Sequence, residues 1–255
     1  MIVEKDFAGR QLRGARDIQE DGYAFCEVVD SNGKSDGILV VVADGMGAHI
    51  AGERASKTAL ENFISAFQTA DGPIAERLNK GLTAANAAIA KELKEEPAWE
   101  GMGTTLLAAT VTRAGVEWMS VGDSPLYLFD RKTLTRLNAD HSLGPVLQEM
   151  VEQGEIAPKA AARSKNILRA ALIGSEIALI DRSPAALPLE SGSLILAASD
   201  GLHTLTDKQI ISVCSESAKR DAAAVATRLL DAVMNENNPK QDNTTIAIIK
   251  AAAIS

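Results

Sequence analysis

Apolar and polar positions follow two rhythms along this chain. Short runs of apolar and β-branched residues, the pattern of buried strands, fall at 23–29, at Ile38 to Ala43, at 103–111, 115–121 and Leu126 to Phe129. Further runs of this kind lie at about 178–188, at 193–198 and at Thr244 to Lys250. Turn-rich sequence such as Asp30-Ser31-Asn32-Gly33 and Arg113-Ala114-Gly115 closes several of them. Four stretches carry helical spacing instead. In the first, Ala51, Ala55, Ala59, Phe63 and Phe67 recur at every fourth position, with Leu60 and Ile64 beside them. The second runs from about Ile74 to Leu93 and stops at Pro97, and two more cover roughly 207–217 and 221–235. Residues 140–165 are polar, with few large apolar side chains, and predict short helices and loops in a mobile segment.

Strands arrive in meander-like groups and helices in pairs. That grouping predicts an α+β fold with antiparallel sheets rather than alternating βαβ units. No Pro/Gly/Ser-rich linker and no long internal repeat divides the 255 residues, so one domain, 1–255, is expected. A chain that is 46% hydrophobic and 24% charged has ordinary globular composition, which excludes disordered, collagenous and disulfide-scaffold classes. The formal net charge of −8 leaves no cationic excess to neutralise phosphates. No nucleic-acid partner and no anionic membrane surface is therefore expected. The N-terminus lacks a basic region followed by an apolar run, and no apolar stretch approaches the ~20 residues that span a bilayer. A cytoplasmic protein is expected. Cys26 and Cys214 are too few for a disulfide framework or a zinc cluster and fit a reducing compartment.

The chemistry is suggested by where the aspartates fall. Val40-Val41-Val42-Ala43 runs into Asp44-Gly45, and Leu194-Ile195-Leu196-Ala197-Ala198-Ser199 runs into Asp200-Gly201. Ser120-Val121-Gly122 leads to Asp123-Ser124, Asp242-Asn243 opens the last strand, and Glu20-Asp21 precedes the first. Taken singly, each is an ordinary turn, strand entry or solvated pair. Taken together, five acidic signals share one topological position. Carboxylates gathered beside a core are costly unless something neutralises them. A hard divalent cation does so through oxygen ligands and retained water. Glycine after aspartate lets the backbone approach an ion and offer its carbonyl.

At these residues the chain resembles the bacterial form of the type 2C metal-dependent serine/threonine protein phosphatases. The resemblance is carried by Arg16-x-x-x-Glu20-Asp21, by Val42-Ala43-Asp44-Gly45-Met46-Gly47-Ala48-His49-x-Ala51-Gly52-Glu53, and by Gly101-Met102-Gly103-Thr104-Thr105. It continues in Val121-Gly122-Asp123-Ser124, Asp140-His141-Ser142 and Asn166-x-Leu168-x-x-Ala171-Leu172-x-Gly174. Ala198-Ser199-Asp200-Gly201-Leu202 and Asp242-Asn243-x-Thr245 complete it. Any one of these is weak, and eight in the family's order, from about Gly14 to Ile249, are specific.

The resemblance implies a four-layer αββα sandwich, two antiparallel sheets flanked by helix pairs. It also implies a centre of two or three divalent cations, Mn2+ or Mg2+, at one edge of the sheets. Carried over position by position, Asp44 bridges two ions and Gly45 offers its carbonyl. Asp200 and Asp242 complete one ion, Glu20 and Asp21 hold the other side, partly through water, and Asp123 with Asp200 resembles a weaker third site. Arg16 matches the family's phosphate-binding arginine. Its planar fork suits two phosphate oxygens, whereas without that context it reads as a surface ion pair to Asp17 or Glu20. The implied reaction hydrolyses phosphoserine or phosphothreonine through a metal-bridging water, with no covalent intermediate. Asp44, Asp200, Asp242 and Arg16 form its catalytic set. Phosphorylated proteins, a cognate kinase and that kinase's substrates are the implied partners, and a monomer is expected. A non-catalytic phosphoprotein-binding relative of the same fold is the alternative, although such a protein should have lost metal ligands.

Three histidines and three departures complete the picture. His49 reads as a structural hydrogen-bonding residue or as a proton donor to the leaving alkoxide. His141 is expected to buttress the site, and His203 to be a loop residue. Ala48 stands where the family usually has glycine, and Pro125 where it often has arginine. Met46 takes the position of a histidine found in eukaryotic members, which leaves the general acid unassigned. Cys214 to Arg220 formally matches the cysteine phosphatase spacing Cys-x5-Arg. Yet Glu216 would sit in the phosphate cradle, and Ile210, Ile211, Val213 and Cys214 read as an apolar helix face.

Overall fold

A computed structural model describes residues 1–47, 50–217 and 219–251. In chain order the elements are β1 (Phe7–Leu12), β2 (Asp21–Val29), β3 (Ser35–Met46), α1 (Ala51–Thr69), α2 (Ile74–Glu95), β4 (Gly103–Thr104), β5 (Leu106–Thr112) and β6 (Gly115–Val121). Then follow β7 (Leu126–Asp130), β8 (Thr133–Arg136), α3 (Gly144–Glu152), α4 (Pro158–Ala161), β9 (Asp181–Arg182), β10 (Leu194–Ala198), α5 (Asp207–Ser217), α6 (Ala222–Asn235) and β11 (Thr244–Lys250). One antiparallel sheet has the order β1-β11-β10-β7-β8 and the other β2-β3-β5-β6-β9, with β4 pairing the end of β3.

Three buried clusters define four layers. Val40, Val42, Leu107 and Ala109 of one sheet meet Ile195, Ala197, Ala247 and Ile249 of the other, filling the gap between them. Residues of opposite parity on the same strands, such as Leu39, Val41 and Ala108, point outward to Ala55, Phe63 and Leu82 of α1 and α2. On the other side, Leu194, Leu196, Ile246 and Ile248 face Ile210, Val225 and Leu229 of α5 and α6. Because both faces of the central strands are covered, their sequence is continuously apolar rather than alternating. This is the expected αββα sandwich.

Most expected elements are present, and the differences have local causes. The run at 178–188 yields only the two-residue β9 and a single bridge from Leu187 to Val116. Pro184 and Pro188 remove backbone donors and prevent a longer ladder. β1 and β8 were not expected. Both are edge strands with exposed or half-buried polar residues, so neither needs a continuous apolar run. β3 extends past Ala43 to Met46 because β4 pairs with Gly45 and Met46. The Asp44-Gly45 dipeptide therefore lies inside a strand, not in a turn. Cys214 is buried on α5, and burial pushes its thiol up to about 12. The thiolate chemistry of a cysteine phosphatase is absent there, and Ala218 of that spacing lies outside the described residues. No helix among the described residues is long and apolar enough to cross a membrane.

The 140–165 segment does form short helices. α3 and α4 pack mainly on each other, and Ala161 is the only residue of these two helices that is buried. The base of the segment is pinned by a bridge between Ser142 and Leu168 and by the Leu143 amide donating to the Ile167 carbonyl at 2.8 Å.

Phe63 carries much of the α1–α2 layer. It is fully buried, and its ring stacks on Phe67 with centroids 6.4 Å apart. Phe63→Ala is expected to destabilise the fold by about 3–5 kcal/mol in denaturant unfolding. A cost below about 1 kcal/mol would show that this layer is not the closely packed one described.

Candidate active site

The site lies where the gap between the sheets opens at one end. Along β3 the inward positions Val40 and Val42 are followed by Asp44, and along β2 the inward Phe25 and Tyr23 are preceded by Asp21. Asp21 and Asp44 are direct cross-strand partners. From the opposite sheet, Ser199 and Thr245 occupy the same level. Ser199 Oγ donates to Asp21 Oδ2 at 2.7 Å and Thr245 Oγ1 donates to it at 2.9 Å. The strand periodicity that builds the apolar core thus delivers carboxylates to its rim.

The Asp44 backbone is held firmly. Its amide donates to Thr105 Oγ1 at 3.0 Å, and its carbonyl accepts from the Thr104 hydroxyl at 2.9 Å. Gly45 is tightly enclosed: a Cβ there would lie 2.1 Å from the Gly52 carbonyl oxygen and 2.6 Å from that of Glu20. Only glycine lets β3, the first turn of α1 and the Glu20 loop meet. Asn243 ties down that same loop. It accepts from the Glu20 amide at 2.7 Å and donates to the carbonyls of Arg13 and Ile18 at 2.8 and 3.0 Å.

A cavity of about 720 Å³ opens over this rim, lined by Arg16, Glu20, Asp44, Gly45, Asp123, Asp200 and Asp242 among others. Seven of the eight expected site residues therefore converge on it. Asp21 does not line it, because two hydroxyls hold its carboxylate in the gap behind Asp44. Arg16 lies within reach of the acids, its Nη2 donating to Asp242 Oδ2 at 2.6 Å. Asp17 and Glu20, the expected surface partners, do not take that ion pair. His141 buttresses the turn that carries Asp123: its Nδ1 accepts from the Gly122 amide at 3.2 Å, and its own amide donates to the Gly122 carbonyl at 3.1 Å. His203 is exposed in the short 3-10 turn Asp200–Thr204. His49 lies outside the described residues.

Two further contributors were not legible in the sequence. Arg136 of β8 donates to the Asp123 carbonyl at 2.8 Å and pairs with Asp140 at 3.1 Å. A cation thus stands beside Asp123 although Pro125 supplies none. Arg169 lines the cavity together with Arg16. It lay within the recognised Asn166 to Gly174 stretch but at an unassigned position.

Burial and mutual repulsion make the cluster hard to ionise. Burial pushes the carboxyls of Asp21 and Asp123 up to about 7, with neighbouring aspartates adding to it. Asp44 is held well above the usual carboxylate range, first by burial and then by the charges of Asp21, Asp200, Asp123 and Asp242. Asp200 is raised by burial and by Asp242, and Glu20 by burial. Glu20 Oε1 is buried without a hydrogen-bond partner. Such a set is short of positive charge. Among the described residues, no group of three acidic, histidine or cysteine side chains stands close enough together to hold a metal ion. The arrangement is an open, oxygen-only one with room for water. That fits a hard divalent cation and not a metal that demands nitrogen or sulfur ligands.

Residues 17–247 match the family model described as Protein phosphatase 2C. The chain is 31% identical over 222 residues to a serine/threonine phosphatase (stp) of Listeria welshimeri, covering 83% of this chain and 84% of the relative. It is 30% identical over 218 residues to the serine/threonine protein phosphatase PstP of Mycobacterium tuberculosis, covering 82% of this chain. It spans only 40% of that relative's length. Among solved structures, the Mycobacterium tuberculosis phosphatase PstP/Ppp superposes with a TM-score of 0.77 at 28% identity, covering 96% of this chain and 98% of the other. The PstP catalytic domain in complex with two manganese ions gives 0.76 at 28% identity, covering 96% and 97%.

The carboxyl shifts predict the behaviour of the metal-free protein. A carboxyl with a folded pKa near 7 against an ordinary 3.8 keeps its proton longer when folded. The folded state therefore binds more protons, and stability falls as pH rises from about 4 to 7. Asp44→Asn removes one repelling charge, so at about pH 7.5 the metal-free variant should melt above the metal-free wild type by roughly 2–4 °C per kcal/mol gained. Mn2+ should raise the wild-type melting temperature and leave that of the variant nearly unmoved. A metal-free Asp44→Asn protein that melts at or below the wild type contradicts this account.

Proposed function

The chain belongs to the protein phosphatase 2C family, and on that premise we propose that it hydrolyses phosphoserine and phosphothreonine in proteins with the help of bound Mn2+ or Mg2+. The observation that carries this reading is the convergence of Glu20, Asp44, Asp123, Asp200, Asp242, Gly45 and Arg16 on a single cavity, which Arg169 and Glu176 also line. Asp44, the Gly45 carbonyl, Asp200, Asp242 and Glu20 would hold two cations. Asp21, held behind Asp44 by Ser199 and Thr245, would reach a cation through water. Asp123 with Asp200 would hold a third, weaker ion. When bound, the ions supply a water of lowered pKa and offset the negative charge of an in-line displacement at phosphorus.

The chain's own residues do the rest. Arg16 uses one amino group on Asp242 and remains half-exposed toward the cavity. It can therefore clasp phosphate oxygens while staying in register with the acids. Thr104 and Thr105 fix the backbone of β3 at Asp44, and Asn243 fixes the Glu20 loop, so the acids are oriented before binding. The thinly packed 140–165 segment, hinged at the Ser142–Leu168 bridge, is a substrate-gating flap within the single domain 1–255. Phosphorylated proteins are the substrate class, and a cognate serine/threonine kinase and its targets are the partners that supply them. The protein works as a monomer in the cytoplasm.

Wild-type protein is expected to hydrolyse para-nitrophenyl phosphate and phosphothreonine peptides when Mn2+ is added. Asp44→Ala and Asp200→Ala are expected to fall to the uncatalysed background with folding intact by circular dichroism. Folded wild-type protein without metal-dependent turnover would instead favour a phosphoprotein-binding module. Arg16→Ala loses a charged hydrogen bond worth about 1.5–3 kcal/mol, so KM should rise roughly tenfold or more with a much smaller change in kcat. An unchanged KM removes Arg16 from phosphate binding.

A further inference from the structure

A second cavity of about 440 Å³ adjoins the first and shares Asp123, Asp200 and Asp242 with it. Its distinctive residues are two lysines, Lys165 and Lys240, from separate loops. Lys165 lies in the stretch that closes the 140–165 segment. Lys240 lies in the loop entering β11. That loop is well anchored: the Lys240 amide donates to Asn238 Oδ1 at 3.0 Å, and Thr204 donates to the Gln241 side chain at 2.7 Å.

The charge balance around this cavity is uneven. Asp140 is already engaged, by Arg136 at 3.1 Å and by the Ser142 amide at 2.8 Å. Asp242 is engaged by Arg16. Asp123 and Asp200 are the residues that the phosphatase reading assigns to cations. Neither lysine ammonium has an ion pair or hydrogen bond among the described residues. Once the acids are occupied, two unpaired cations face a cavity that continues directly into the catalytic one.

We propose that this second cavity is a substrate subsite in which Lys165 and Lys240 take an anionic group, a carboxylate or a second phosphate, carried on the substrate chain near the phosphorylated residue. The proposal rests on the phosphatase reading above and adds a sequence preference to it. An extended chain advances about 3.3–3.6 Å per residue, so a side chain one to three residues from the phosphoamino acid lies over the adjoining cavity. Lysine is a compact point charge on a flexible stem and accepts either anion without demanding bidentate geometry.

The test uses phosphothreonine peptides that differ at one neighbouring position, carrying alanine, aspartate, phosphoserine or arginine. Wild-type protein with Mn2+ is expected to favour the aspartate or phosphoserine peptide over the alanine peptide by about fivefold in kcat/KM, carried by KM. The arginine peptide should be the poorest. The aspartate and phosphoserine arms tell which anion the subsite prefers. In the double variant Lys165→Gln, Lys240→Gln the ratio should fall toward one, while Lys34→Gln, in the distant turn before β3, leaves it intact. Lys240→Glu should move the preference toward the arginine peptide. A wild type indifferent to peptide charge, or a preference that survives the double variant, overturns the subsite. Wild-type protein that fails to hydrolyse para-nitrophenyl phosphate with Mn2+ overturns the phosphatase reading and this inference with it.

Discussion

The structure is organised around a repulsion. Asp21, Asp44, Asp123 and Asp200 are packed into the mouth of the gap between two sheets, where water is scarce and each charge raises the next. An isolated peptide would avoid this arrangement. The sandwich imposes it, because the carboxylates are attached to strand ends whose positions are set by a fully apolar interior. The stability of the core is what holds the acids together against their own field, and the field is what gives the site its affinity for cations.

That division of labour explains why the surroundings of the acids are so rigid. Backbone amides and carbonyls near Asp44 are satisfied by Thr104 and Thr105, and Asn243 knits the Arg16–Glu20 loop to the start of β11. Asp21 is fixed by two hydroxyls from the opposing sheet. These bonds orient the donors but leave oxygen atoms such as Glu20 Oε1 unspent. The backbone that carries the acids is thereby fixed, against the repulsion of the acids themselves.

Much of this was legible in the sequence, and the remainder was illegible for identifiable reasons. The apolar runs located the central strands because both of their faces are buried, and the acids at their ends marked the rim. Edge strands β1 and β8 escaped because an edge can be polar. The stretch at 178–188 misled because its apolar residues are interrupted by Pro184 and Pro188. Parity along β2 places Asp21 on the inward face, yet only the opposite sheet's Ser199 and Thr245 determine that its carboxylate is held back from the cavity. Arg136 was invisible for a related reason. It lies 13 residues from Asp123 and reaches it only because β8 folds back on β7.

On the proposed reading, the contrast between the anchored rim and the thinly packed 140–165 segment separates chemistry from selection. The acids, Arg16 and the backbone that positions them sit on strands and short anchored loops, where an error of an ångström would matter. Lys165, Arg169 and the exposed Ile167 and Ile173 sit on or just beyond the lightly packed segment, beside the catalytic rim. Substitutions there exchange one exposed side chain for another and leave the buried clusters untouched. On the proposed phosphatase reading, a fold built in this way can change which phosphorylated chain it accepts without disturbing the repelling carboxylates. Lys240, on the anchored loop entering β11, is the exception. In the proposed subsite it would register a bound chain against the anchored side of the site and not only against the 140–165 segment.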